Sequence, residues 1–210
     1  MMPARMMKVA LTGSIGMGKS TVGRMLTARG IALFDADAAV HALYAPGGAA
    51  VEPLRAAFPE AVGAAGVDRA ILSKLVLGDG DAIRRLEAIV HPLVGQVRQA
   101  FLEDAAARGD AFVVLDIPLL FEGRNRAGYD AVIVVSAPAE AQRARVLARP
   151  GMTAEKFEAI LARQVPDEIK RAGADYVIDT GLPLAETEAR VQAVVDDLAR
   201  QAAEMNGKAR

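Results

Sequence analysis

The chain contains no cysteine and no tryptophan, and only two histidines among its 210 residues. Without cysteine there is no disulfide framework, no thiolate metal site and no cysteine nucleophile. Aromatic residues make up only 4%, which is poor material for a base-stacking, single-strand nucleic-acid surface. An excess of one charge is also missing. Twenty-five basic residues face 26 acidic ones, a formal net charge of −1, so a globally basic nucleic-acid binder is disfavoured and only a local basic pocket remains open. The most apolar run, Ala111 to Phe121, contains Asp116 and falls well short of the ~20 residues of a membrane helix. The opening MMPARMMKVALTG holds no apolar segment of signal-peptide length. These absences imply a cytoplasmic protein with no nucleic-acid or membrane partner. We expect a monomer acting on small molecules, built as one core with a sizeable insertion.

Against that background, short β-like runs alternate with helical stretches. Lys8 to Thr12, Ile31 to Phe34, Phe112 to Ile117, Ala131 to Val135 and Asp175 to Ile178 read as strands. Ser20 to Arg29 reads as a helix ending at Gly30, and Leu184 to Ala203 as a terminal amphipathic helix. Strands separated by helices imply an α/β fold with a five-stranded parallel sheet and helices on both faces. The segment between Phe34 and Phe112 reads as almost wholly helical, with pieces at Asp68 to Leu77, Asp81 to Val90 and Leu93 to Ala107. Pro92 disfavours helical geometry at His91, so a break is expected there. A second, charged helical insertion runs from Arg149 to Lys170.

Gly13-Ser-Ile-Gly16-Met-Gly18-Lys19-Ser20 fits GxxxxGK[ST] and lies between an expected strand and an expected helix, the context in which this pattern is a phosphate loop. Its glycines let backbone N–H groups converge on phosphate oxygens, aided by the helix N-terminus. Lys19 is positioned to reach the β- and γ-phosphates, and the Ser20 hydroxyl to hold Mg²⁺. The chain is therefore a P-loop NTPase-fold protein. No guanine-specifying NKxD is present, and Asp116 is followed by Ile-Pro-Leu rather than a switch motif. Asp116 is a candidate Walker B acid and Mg²⁺ ligand.

These features favour a small phosphotransferase whose first insertion binds the acceptor and whose second forms a lid. The domain division expected is 1–37 core, 38–110 helical acceptor-binding domain, 111–148 core, 149–171 lid and 172–210 core with the terminal helix. Asp35 and Asp37 close the second strand in FDAD. On an extended segment this i, i+2 pair points one way, at the strand end where ligands bind, and a carboxylate there can take the proton of an attacking hydroxyl. Asp37 also suits the N-cap of a following helix.

LTGSIGMGKST (Leu11 to Thr21), FDAD (Phe34 to Asp37), LEAIVHPL (Leu86 to Leu93), DIPLLFE (Asp116 to Glu122), RQ (Arg163, Gln164) and ADYVID (Ala174 to Asp179) occur in that order. In this combination the chain resembles the dephospho-CoA kinase family from Val9 to about Gly181. The resemblance implies transfer of the ATP γ-phosphoryl group to the ribose 3′-hydroxyl of dephospho-CoA, giving CoA and ADP. It further implies Asp37 as base with Asp35 in support, Arg143 and Arg149 as neutralisers of the transferring group alongside Lys19, and Asp35, Asp37 and His91 as acceptor contacts. The ATP site would comprise Gly13, Ile15, Gly16, Met17, Gly18, Lys19, Ser20, Thr21 and Gly181, with Mg²⁺ on Ser20 and Asp116. Glu122 and Arg124 are further candidates to line the acceptor pocket. The chain departs from the family pattern at Ser14, where glycine is usual, and at Asp179-Thr180-Gly181, where an asparagine is often found. A nucleoside or nucleotide monophosphate kinase is the rival within the same fold, and a partner-driven P-loop ATPase the rival outside it.

Overall fold

The computed structural model describes residues 5–123 and 126–207; Arg124 lies outside the described residues. Strand β1 (Met7–Thr12) leads through the glycine loop into α1 (Lys19–Thr27), followed by β2 (Leu33–Asp35). Next come α2 (Ala36–Tyr44), α3 (Val51–Ala57), the strands β3 (Val62–Gly63) and β4 (Gly66–Val67), α4 (Arg69–Val76) and the long α5 (Gly80–Arg108). The chain then runs through β5 (Phe112–Asp116), β6 (Ala131–Ser136), α6 (Ala139–Leu147), α7 (Ala154–Leu161), α8 (Asp167–Ala172), β7 (Tyr176–Asp179) and α9 (Leu184–Gly207). It divides into two compact units, Met1–Phe34 with Ala105–Arg210, and Asp35–Asp104. Segment 149–171 falls in the first.

The first unit is organised by a five-stranded sheet of order β2-β5-β1-β6-β7. β1 pairs in parallel with β5 on one side and β6 on the other, and β6 pairs in parallel with β7. Every residue of β5 and β6 is buried, as parallel strands covered on both faces require. Alternation along β1 explains the two layers. Val9 and Leu11 join Val22 and Leu26 of α1 and Val191 and Leu198 of α9 in one apolar cluster. Ala10 joins Val132, Val134 and Leu120 in another. From β1 the chain goes to one side, to β2, and later crosses to the other at β6. The loop after β1 thus sits at the switch point outside the carboxyl ends of the strands, where open α/β sheets bind ligands.

The second unit has its own core, with Leu43, Leu54, Phe58 and Leu72 packed against Ala82, Leu86, Val90 and Val94 of α5. One expectation does not hold. The helix does not break at His91-Pro92: α5 runs continuously across it, with Pro92 in its interior. Proline removes one N–H and disfavours helix before it, but residues on both sides, Val90 and Val94, are held by the same core, and that packing overrides the local preference. Besides its helices the segment carries one short antiparallel hairpin, in which Val62 pairs with Val67 and Gly63 with Gly66.

Candidate active site

The loop between β1 and α1 is shaped by two residues in the left-handed region, Gly16 at φ 78° and Gly18 at φ 90°. Space demands glycine there as well. A Cβ on Gly16 would lie 2.4 Å from Val146 Cγ2, and one on Gly18 2.9 Å from Thr180 Oγ1. Gly18 supplies no side-chain cap to α1, and no acidic residue stands in its first turn. The amides at that helix start are therefore suited to an anion, which the helix dipole also favours.

Lys19 turns its ammonium onto Asp116 Oδ1. Asp116 is the last residue of β5 and stands level with Leu11 of β1, so the sheet register itself brings the carboxylate to the loop. Ser20 is exposed in the first turn of α1 and Thr21 is half-buried beside it. The Ser20 hydroxyl and the Asp116 carboxylate are hard oxygen donors that suit Mg²⁺. No group of three or more His, Cys, Asp or Glu side chains able to hold a metal is found among the described residues. The Ser20 and Asp116 pair suits a Mg²⁺ that shares one or two protein oxygens with substrate phosphates and water.

Several side chains distant in sequence hold this loop. Gln142 of α6, 5% exposed, donates from Nε2 to the Ile15 carbonyl at 2.7 Å, and the Ile15 N–H donates to Gln164 Oε1 at 3.1 Å. Thr180 Oγ1 donates to the Met17 carbonyl at 2.7 Å and accepts from Arg145 Nη1 at 3.0 Å. The Ala137 N–H meets Met17 Sδ at 3.2 Å. Lys170 of α8 is fully buried; its Nζ lies 3.1 Å from Ser14 Oγ and 2.8 Å from Glu122 Oε1. Glu122 Oε1 also accepts the Val165 N–H at 2.9 Å. Burial works against the charge of Glu122, but the Lys170 ammonium and the Val165 N–H outweigh it and hold the carboxyl below its ordinary value. Ser14 thus gives the buried ammonium a polar partner that glycine would lack. Arg145, Gln142, Lys170 and Thr180 were not singled out from sequence as site residues, because nothing local marks them: Gln142 is 127 positions from Ile15, and Lys170 is 156 from Ser14.

The other expected residues are placed as follows. Asp35 is the extended N-cap of α2 and accepts the Ala38 N–H at 3.0 Å, while Asp37 is in the first helical turn. The i, i+2 extended geometry expected for this pair does not hold, because the helix starts at Ala36, and the capping expected of Asp37 falls to Asp35. Both aspartates are exposed and, with His91, belong to the second unit. His91 joins Val40, Tyr44, Leu86, Val90 and Arg98 around a cavity of about 400 Å³ between α2 and α5. Burial pushes the Tyr44 phenol above its ordinary value against the opposing pull of Arg69. Arg143 pairs with Glu158 of α7 at 3.4 Å on the exposed surface, whereas Arg149 is exposed just beyond α6. Two positions further along the helix than Arg143, Arg145 binds the Thr180 hydroxyl and carbonyl. The Gly181 N–H is taken by Asp179 Oδ1 at 2.7 Å.

A parallel sheet carrying a GxxxxGKS loop at its switch point, with the loop lysine on a carboxylate from the neighbouring strand, defines a P-loop nucleoside triphosphate-binding protein. The sequence profile of dephospho-CoA kinase matches residues 7–186. A dephospho-CoA kinase from Novosphingobium aromaticivorans is 59% identical over 187 residues, covering 89% of this chain and 92% of that protein. One from Mesorhizobium japonicum is 54% identical over 196 residues, covering 93% and 98%. The crystal structure of TT1252 from Thermus thermophilus superposes with a TM-score of 0.77 at 35% identity, covering 92% of this chain and 98% of that one. The chain belongs to the dephospho-CoA kinase family.

Proposed function

We propose that this chain transfers the γ-phosphoryl group of ATP to the ribose 3′-hydroxyl of dephospho-CoA, giving CoA and ADP. The observation that carries the reading is a complete phosphate loop, with Lys19 on Asp116, in a chain that matches the family profile from residue 7 to 186. Phosphoryl transfer asks mostly for positioning and charge stabilisation, and the loop offers both. The amides of Gly16, Gly18, Lys19 and Ser20 receive phosphate oxygens, Met17 and Thr21 border the nucleotide with their N–H groups on the Ser14 and Gly18 carbonyls, and Gly13 lets the chain turn out of β1. Ile15 contributes through its carbonyl-side peptide, since its own N–H is taken by Gln164. Lys19 exchanges its contact with Asp116 for the β- and γ-phosphates. Gly181, beside Thr180, borders the nucleotide.

Ser20 and Asp116 would hold Mg²⁺, which when bound supplies charge neutralisation at the phosphate oxygens. Asp37 accepts the proton of the attacking hydroxyl, and Asp35 keeps Asp37 in place by capping α2. His91 contacts the acceptor, in keeping with its place on the cavity of the second unit. Arg149 and Arg143 neutralise the transferring group. An exposed pair such as Arg143–Glu158 contributes roughly 0–1 kcal/mol, so a phosphate displaces it readily. Segment 38–110 serves the acceptor, and 149–171 is the lid. We propose a monomer at work in the cytoplasm. No helix among the described residues is long and apolar enough to cross a membrane.

The test is ADP release from ATP and Mg²⁺ with dephospho-CoA, AMP, CMP, adenosine or no acceptor. Release only with dephospho-CoA, and CoA as product, is the expected result. Release with a monophosphate would overturn the acceptor assignment and keep the phosphate loop. Slow release independent of acceptor would point to an ATPase driven by a protein partner.

A further inference from the structure

In a trans peptide the C=O and the N–H of the next residue point in opposite directions. The Ile15 carbonyl shares its peptide with the Gly16 N–H, and the Met17 carbonyl shares its peptide with the Gly18 N–H. Both carbonyls are held from outside the loop: Ile15 O by Gln142 Nε2 at 2.7 Å, Met17 O by Thr180 Oγ1 at 2.7 Å. Gly16 and Gly18 are the two loop residues with positive φ. Without a Cβ, the peptides ahead of them are the ones that turn over most easily. The two tethers therefore sit on the two peptides most in need of them.

We infer that Gln142 and Thr180 are positioning residues that aim the Gly16 and Gly18 N–H groups at the bound phosphates. The inference rests on the phosphate-loop reading above and goes beyond it to residues on α6 and after β7. Gln142 is buried, and its Nε2 donates to the loop at 2.7 Å. The Thr180 hydroxyl has one proton and two competing acceptors, Met17 O at 2.7 Å and Ser136 O at 3.3 Å. The nearer carbonyl takes that proton, and Arg145 donates to a lone pair of the hydroxyl oxygen. Arg145 thus acts on the loop through Thr180. The loop is set for anions before one arrives, and the ordering of two peptides is not left to the binding step.

The test measures ADP and AMP affinity by titration calorimetry for wild type, Gln142→Met, Thr180→Val and Thr180→Ser, with a thermal midpoint for each. Both nucleotides carry the same base, ribose and α-phosphate, but only ADP has the β-phosphate that the loop cradles. Gln142→Met and Thr180→Val each lose one tether at nearly constant volume. Each should weaken ADP roughly tenfold, the worth of about one charge-assisted hydrogen bond, while AMP stays within twofold. Thr180→Ser, which keeps the donor, should restore ADP affinity. A merely structural role would lower the midpoint and leave the ADP-to-AMP ratio unchanged, which would overturn the inference, as would failure of Thr180→Ser to rescue. If Gln142→Met does not fold, the Thr180 pair decides alone. A wild type that binds ADP no better than AMP would instead sink the phosphate-loop reading.

Discussion

Among the described residues, Thr12, Ser14, Asp116, Ser136, Gln142, Lys170, Thr180 and Thr187 are the buried polar or charged side chains, and all lie in the first unit. The second unit buries only apolar side chains and the ring of Tyr44. Apolar burial is non-directional and tolerates many arrangements of equal volume. Hydrogen bonds have direction, and a buried group left without its partner is penalised by about 1–3 kcal/mol. The first unit thus specifies where its loop amides point. The second unit specifies a scaffold that leaves Asp37 and His91 exposed on its surface.

Substitutions that strike one unit and spare the other's chemistry would break or sharpen this contrast. The largest effect is expected from Lys19→Ala, which should lower kcat by about three orders of magnitude; a loss below tenfold in ADP release would separate the lysine from the transferring group. Asp37→Asn, in the second unit, should lower kcat by about 10²–10⁴ with ADP affinity unchanged, and near-wild-type turnover would remove Asp37 as the base.

Stability makes the contrast in another way. Lys170→Met leaves the part-buried Glu122 carboxylate without its cation and should destabilise by about 3–5 kcal/mol in urea titration. The Lys170→Met, Glu122→Leu double variant should recover most of that loss. Leu54→Ala in the second unit should be similarly destabilising, about 2–5 kcal/mol, but no second polar removal should rescue it. A double variant no better than Lys170→Met alone would show that the pair is not the cause.

The pH dependence follows from the same pair. Because the folded value of Glu122 is depressed, its ionised form stabilises the protein above the unfolded value of about 4.3. That contribution is lost as pH falls through the folded value. Glu122→Gln should therefore be less stable than wild type at pH 7, with the gap closing below about pH 4. The smallest effect is expected on the stability of Arg143→Ala, less than about 1 kcal/mol for an exposed pair, so any fall in its kcat reports directly on the phosphoryl group. Arg149→Ala should lower kcat more than it raises the acceptor KM; an effect confined to KM would move Arg149 out of the transition state.

Much of this was readable along the chain. The five strands appear in the sequence as short apolar runs, each within two residues of its observed start, and the phosphate loop is a contiguous string of eight residues. Both depend on neighbours in sequence. The continuity of α5 across Pro92 was not readable, because the local rule at His91 points the other way and the core contacts of Val90 and Val94 decide. The FDAD pair misled for a related reason. Its two carboxylates are plain in the sequence, but whether Asp37 belongs to strand or helix turns on where α2 starts.

The sequence by itself determined the α/β class, the phosphate loop and the family, since periodicity and contiguous motifs are properties of neighbouring residues. Only the tertiary structure decided which side chains hold that loop. Gln142, Gln164, Lys170 and Thr180 reach Ser14, Ile15 and Met17 from at least 127 positions away. Their partners are chosen by how α6, α8 and β7 pack beside β1, because a hydrogen bond is set by distance and direction in space and leaves no period or motif in the chain.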